Sequence, residues 1–127
     1  MSYHTLEAWQ EARLLTKEVY ETTSRFPNAE TFGLTAQLRR ACVSVVSNIA
    51  EGSGRWWLKQ QANFYYVSRG SLMELETQII IANDLGYVDA QRADALLARC
   101  GKVGRQLNAL ITSTRKRANE PESATKD

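Results

Sequence analysis

From Ala8 onwards, small or apolar residues return at Ala12, Leu15, Val19, Thr22 and Phe26, in steps of four, three, four, three and four. That period lays one stripe along a helix; a strand would alternate every second residue. Pro27 ends the segment, because proline disfavours helix in the residue before it and has no N–H to donate. A second stripe runs through Leu34, Leu38, Ala41, Val45 and Ile49. Its three valines at 43, 45 and 46 pull towards a strand, but the helical period continues on both sides of them. The run Glu51-Gly52-Ser53-Gly54 is predicted to close this helix with a glycine in a left-handed cap.

A third and longer segment, from about Trp57 to Leu85, carries Phe64, Val67 or Ser68, Ser71, Leu75, Ile79 and Ala82 on one side. Gly70 lies in its middle, where an exposed glycine costs nearly 1 kcal/mol of helix propensity, so the spacing predicts a second helix backbone close by. Gly86 is the expected cap of this helix. Asp89 then caps a fourth helix with the cleanest repeat of all: Ala93, Leu96, Cys100, Val103, Leu107, Leu110 and Thr114, widened by Leu97, Gly104 and Ile111. Four amphipathic helices with short connections and no strand pattern predict an all-α, antiparallel up-and-down four-helix bundle.

With 127 residues the chain suits one core. The bundle is expected over residues 1–117, and residues 118–127, which have no period, are expected to be disordered. Trp9, Leu14, Tyr20, Trp56, Trp57, Tyr65, Tyr66 and Ile80 fall outside the single stripes. One small bundle does not hide so many large side chains, which predicts a subunit interface and a homo-oligomer. No window is long and apolar enough to cross a membrane, and MSYHTLEAWQEAR lacks the pattern of a secretory signal, so the sequence reads as cytoplasmic with no membrane partner. Cys42 and Cys100 have no CxxC partner and His4 is the only histidine, so no metal and no cofactor are expected.

Charge is segregated along the chain. Residues 1–31 hold three Lys or Arg against five Glu, while residues 92–117 hold seven Lys or Arg against Asp94 alone. The basic last helix can attract a polyanion by counterion release, or pair with the acidic first helix of the same or a neighbouring subunit. Arg99, Lys102 and Arg105 recur every three residues and suit sequence-independent contacts to an RNA or DNA backbone, with Arg115-Lys116-Arg117 read as a flexible basic end. Arg40, Arg55, Lys59 and Arg69 form a second candidate group for phosphate or a partner, with salt bridging to Glu51, Glu74 or the first helix as the plainer reading.

Gln37, Asn48 and Glu51 form a candidate polar seam. A carboxylate and an amide can position a water, but no second carboxylate, histidine or activated nucleophile lies nearby, so structural hydrogen bonding is the favoured reading and no catalytic residue is assigned. Glu74 and Glu76, two apart on a helix, diverge and do not make a di-iron site.

The motifs W-Q-x-A-R at 9–13, F-P at 26–27, GL-x-x-Q-L-R-R-A at 33–41, S-x-x-x-N-I-A-E-G at 44–52 and GS-x-x-E-L-E at 70–76 occur together. Over residues 6 to 112 the chain resembles the bacterial four-helix-bundle family of 23S rRNA intervening-sequence (S23) proteins. The resemblance implies a small cytosolic bundle that assembles as a ring of five around a central channel, as characterised relatives do. It also implies a basic surface for nucleic acid or a ribonucleoprotein, as in a branch that acts with a reverse transcriptase, although no residue places this chain in that branch. It supplies no catalytic role for Gln37, Arg39, Arg40, Asn48, Glu51 or Gly52, which match motif positions. Trp56-Trp57 departs from the family pattern, where a smaller or polar residue is usual. The expected function is therefore a non-enzymatic homo-oligomeric scaffold or adaptor, with a protein-only interaction assembly as the alternative.

Overall fold

The computed structural model describes residues 2–118. The tail predicted to be disordered lies, from residue 119, outside the described residues. A 3-10 turn at Tyr3–Thr5 leads into α1 (Glu7–Thr23), and a second at Asn28–Glu30 precedes α2 (Leu34–Ser53). The remaining helices are α3 (Leu58–Asp84) and α4 (Ala90–Arg117). Each helix packs against its sequence neighbours and α1 closes the square against α4, giving an antiparallel up-and-down bundle with no strand among the described residues.

The core follows the predicted stripes in three helices. Ala8, Ala12, Leu15 and Val19 of α1 meet Leu38, Ala41, Val45 and Ile49 of α2 and Ala93, Leu96, Cys100, Val103, Leu107 and Ile111 of α4, all buried. At the end of α1 it is Thr23 that turns inwards, while Thr22 stays half-buried and accepts a hydrogen bond from Arg92. Burial raises the Cys42 and Cys100 thiols to about 11 and about 12, so both remain protonated fillers of the core.

α3 keeps its predicted stripe at Ser68, Leu75, Ile79 and Ala82 and departs from it by one residue at two places. Tyr65, Ser68 and Leu72 face the core, whereas Phe64 and Ser71 are half-buried and Val67 is exposed. Tyr65, expected among the surplus aromatics, is 2% exposed. The reason is that α3 carries apolar residues on more than one side, so its sequence alone supports two neighbouring stripes.

Two glycines depart from their predicted roles. Gly70 has nothing within 4 Å of where a Cβ would sit, so no helix of this chain approaches it. Gly52 lies inside α2, not in its cap, and a Cβ there would stand 2.7 Å from Cε1 of Tyr65. The close approach is thus at Gly52, where a tyrosine ring crosses the α2 backbone. The α2 cap, Gly54, has an ordinary right-handed backbone (φ −87°). Gly86, at φ 78°, is the left-handed residue, at the predicted place after α3. Asp89 caps α4 as predicted, accepting from the Arg92 N–H at 2.7 Å.

At the end of the bundle that holds the α1–α2 and α3–α4 connections, Glu30 joins the two. Its carboxylate accepts from the Leu34 N–H at 3.0 Å and from the Tyr87 hydroxyl at 2.9 Å. The Leu34 N–H first, and then the Tyr87 hydroxyl, hold the Glu30 carboxyl below its usual range. The opposite end carries the α2–α3 connection, the end of α4 and the start of α1, where Trp9 meets Tyr3 and His4 edge-on.

Candidate functional site

The acidic α1 and the basic α4 lie side by side. Arg99 donates to Glu11 at 2.8 Å and to Glu18, Lys102 pairs with Glu11, and Gln106 donates to Glu7 at 3.3 Å. Arg92 bonds Thr22 at 3.0 Å and lies 3.9 Å from Glu21. The Lys102 ammonium, together with the Arg99 guanidinium, outweighs partial burial and lowers the Glu11 carboxyl below its usual range. Glu18 in turn raises the Arg99 guanidinium. Two of the predicted nucleic-acid contacts, Arg99 and Lys102, therefore have their charge answered within the chain.

The far side of α4, next to α3, is different. From residue 95 to 117 α4 has no Asp or Glu, and neither has α3 from 58 to 73. Arg69 donates to Asn108 at 3.0 Å across the α3/α4 contact and lies over the Tyr66 ring. Arg105 is exposed one turn before Asn108. A shallow depression along α4 is lined by Asn108, Ala109, Thr112, Ser113, Lys116 and Arg117. α4 stays helical to Arg117, so the basic end predicted to be flexible is ordered there. Arg115 is 5% exposed, with its guanidinium donating to the Tyr66 hydroxyl at 3.0 Å. An arginine pointing inwards from a run of three cations has no signature in local spacing.

On the α2/α3 side, Asn48 donates to the Ser44 carbonyl at 2.8 Å and to its hydroxyl, which meets the Ser71 hydroxyl at 2.7 Å. Ser68 donates to the Val45 carbonyl at 2.7 Å. Gln37 and Arg40 are exposed on α2. Glu51 pairs with Arg55 at 2.8 Å, and both line a surface depression that does not include Asn48 or Arg40. Asn48 and Glu51 are thus each engaged by neighbours, Ser44 and Arg55, and Arg40 lies outside the depression that Glu51 lines. Sequence reasoning missed Gln78, which is 6% exposed, donates to Glu74 at 3.1 Å and keeps a buried oxygen without a partner. It is the only amide-bearing side chain buried among the described residues, and its place among leucines and isoleucines was the signal available.

Among the described residues no three His, Cys, Asp or Glu side chains are grouped to hold a metal, and no helix is long and apolar enough to cross a membrane.

A crystallised protein of unknown function from the S23 ribosomal protein family of Bacteroides thetaiotaomicron VPI-5482 superposes with a TM-score of 0.74. It is 13% identical, and the match covers 82% of this chain and 97% of that one, which establishes a shared fold. No curated protein matches the sequence. The family model of the 23S rRNA-intervening sequence protein matches residues 4–109. By that match, across most of its length, the chain belongs to the 23S rRNA-intervening sequence protein family.

Proposed function

We propose that the protein is a non-enzymatic, homo-oligomeric scaffold or adaptor of the cytoplasm that engages nucleic acid or a ribonucleoprotein through a repeated basic surface. The observation that carries this reading is the outer side of α4, where Arg105, Lys116 and Arg117 stand with Asn108, Thr112 and Ser113 on a helix stretch, residues 95–117, without a single acidic residue. Small polar side chains between cations suit phosphate contacts without base reading. Arg99 and Lys102 contribute less, since Glu11 and Glu18 neutralise them.

Assembly is supported by the outer side of α3. Val67 (53% exposed), Met73 (64%), Ile80 (49%) and Ile81 (42%) accompany the open Gly70. A helix that is apolar on its outer side as well as its inner one needs a second cover. A second copy supplies it, and repetition closes the assembly into a ring, five by family resemblance. Repeating a weak basic surface then raises avidity without new contacts.

The test is fluorescence anisotropy of structured RNA, single-stranded RNA and duplex DNA at low and physiological salt, beside light scattering for mass. Saturable binding at physiological salt is expected, with a salt slope that falls by about one per cation removed in Arg105→Gln/Lys116→Gln/Arg117→Gln. Binding confined to low salt and unchanged by that variant would support the alternative, a protein-only assembly, which the neutralised α1/α4 seam favours.

A further inference from the structure

The α2–α3 connection consists of Gly54, Arg55, Trp56 and Trp57. Trp56 is 87% exposed and Trp57 65%. Both break local rules at once. Two adjacent indoles face solvent, and Trp57 is the N-cap of α3, a place that usually takes Ser, Asp or Asn because their oxygen accepts a first-turn N–H. No side chain caps α3, so its first-turn N–H groups face the connection with the positive end of the helix dipole. Departures of this kind, side by side, are expected where a site is maintained at some cost to stability.

The corner is held in place. The Arg55 N–H donates to the Gly52 carbonyl at 3.1 Å, the Gln61 side chain to the Arg55 carbonyl at 2.9 Å, and the Gln61 N–H to the Trp57 carbonyl at 3.0 Å. The Arg55 guanidinium lies 4.6 Å from the Phe64 ring centroid and pairs with Glu51, so its charge is fixed beside the indoles and shared with one carboxylate. Lys59 follows in the first turn of α3, and the same end of the bundle carries Lys116 and Arg117. At the opposite end Phe32 is 95% exposed, but it is a single exposed ring beside Glu30, in a connection whose one cation is Arg25.

We propose that the Trp56–Trp57 corner is a stacking platform for unpaired nucleobases, making single-stranded nucleic acid the preferred partner. The indoles take the bases, and the first-turn N–H groups of α3, with Arg55 beside them, take the phosphates. The reasoning is charge complementarity plus geometry: aromatic faces flanked by cations are what single strands bind, and a paired base offers no face to them. A preorganised corner loses little freedom on binding. This rests on the nucleic-acid reading above and narrows it to one class of strand.

The experiment uses the full chain, fluorescein-labelled oligouridylate, a duplex of equal length, and vesicles of phosphatidylcholine with phosphatidylglycerol. Trp56→Ala/Trp57→Ala is compared with Trp56→Phe/Trp57→Phe, with thermal melting and light scattering on each. Expected are tighter binding of oligouridylate than of duplex and quenching of tryptophan emission by oligouridylate. The alanine pair should lose roughly tenfold or more in single-strand affinity while duplex affinity and mass stay unchanged, and the phenylalanine pair should keep most of it. Single-strand affinity unchanged by the alanine pair overturns the proposal while leaving the basic surface standing. So does loss of assembly mass, which makes the corner a subunit contact, or an emission shift on vesicles without a preference for single strands, which makes it a lipid contact. Wild-type protein that binds neither strand type overturns the nucleic-acid reading itself.

Discussion

Along the α1/α4 seam Arg99 and Lys102 meet Glu11 and Glu18, and the two helices are joined by a ladder of opposite charges. At the α2–α3 corner the contacts are of another kind: Gly52 admits the Tyr65 ring against the α2 backbone, and Arg55 stretches over Phe64. Cations occur in both regions. In the seam they neutralise a neighbouring helix, at the corner Arg55 shares its charge with Glu51 of its own segment, and on the outer side of α4 they stand on a stretch without carboxylates. A basic run in one helix therefore becomes a basic surface only on the side that its acidic neighbour does not cover.

Three variants probe this contrast. The largest effect is expected at the corner, where packing is the restraint. Gly52→Val places a branched side chain against Tyr65 and Phe64 and should destabilise the protein by about 1–3 kcal/mol. Chemical denaturation measures it, and an unchanged midpoint would mean that the ring does not rest on the α2 backbone.

The seam should respond less in stability and more in electrostatics. Glu11→Gln/Glu18→Gln should cost about 1 kcal/mol at neutral pH, as exposed and half-buried ion pairs do. The folded Glu11 carboxyl lies below its unfolded value, so its contribution is fully present above the ordinary carboxylate range and disappears as pH falls through the lowered folded value. The difference in melting temperature between wild type and variant should therefore shrink towards zero in acid. The same variant uncovers Arg99 and Lys102, so duplex DNA should bind more tightly, with a salt slope steeper by about two. Unchanged binding would show that the seam lies out of reach of a polyanion.

The smallest effect belongs to Gly70→Ala. With nothing within 4 Å of the new methyl group, the isolated bundle should gain about 0.5–1 kcal/mol from helix propensity alone. If light scattering instead finds a smaller particle, the open glycine is where a second copy approaches.

Helix number, order and the buried stripes of α1, α2 and α4 were legible because an amphipathic helix writes its buried face into the chain every three or four residues. Asp89 and Gly86 were legible for a similar reason: a cap depends on a residue and its immediate neighbours. In α3 Ser68, Leu75, Ile79 and Ala82 were legible too, but the choice of Tyr65 over Phe64 and of Leu72 over Ser71 was not, since either is acceptable to a helix apolar on two sides. Pairing of the last helix with the acidic first one was an open reading of the charge pattern, but which side chains meet, Arg99 and Lys102 with Glu11 and Glu18, and Arg115 with Tyr66, was not legible across so many residues.

The sequence by itself determined the four helices, their antiparallel order and the positive character of the last one, all of which follow from local period and composition. The tertiary structure decided which glycine admits a neighbour, which stripe of α3 turns inwards and which cations remain at the surface. Those choices depend on what a distant segment places opposite each residue, and neither propensity nor periodicity records that.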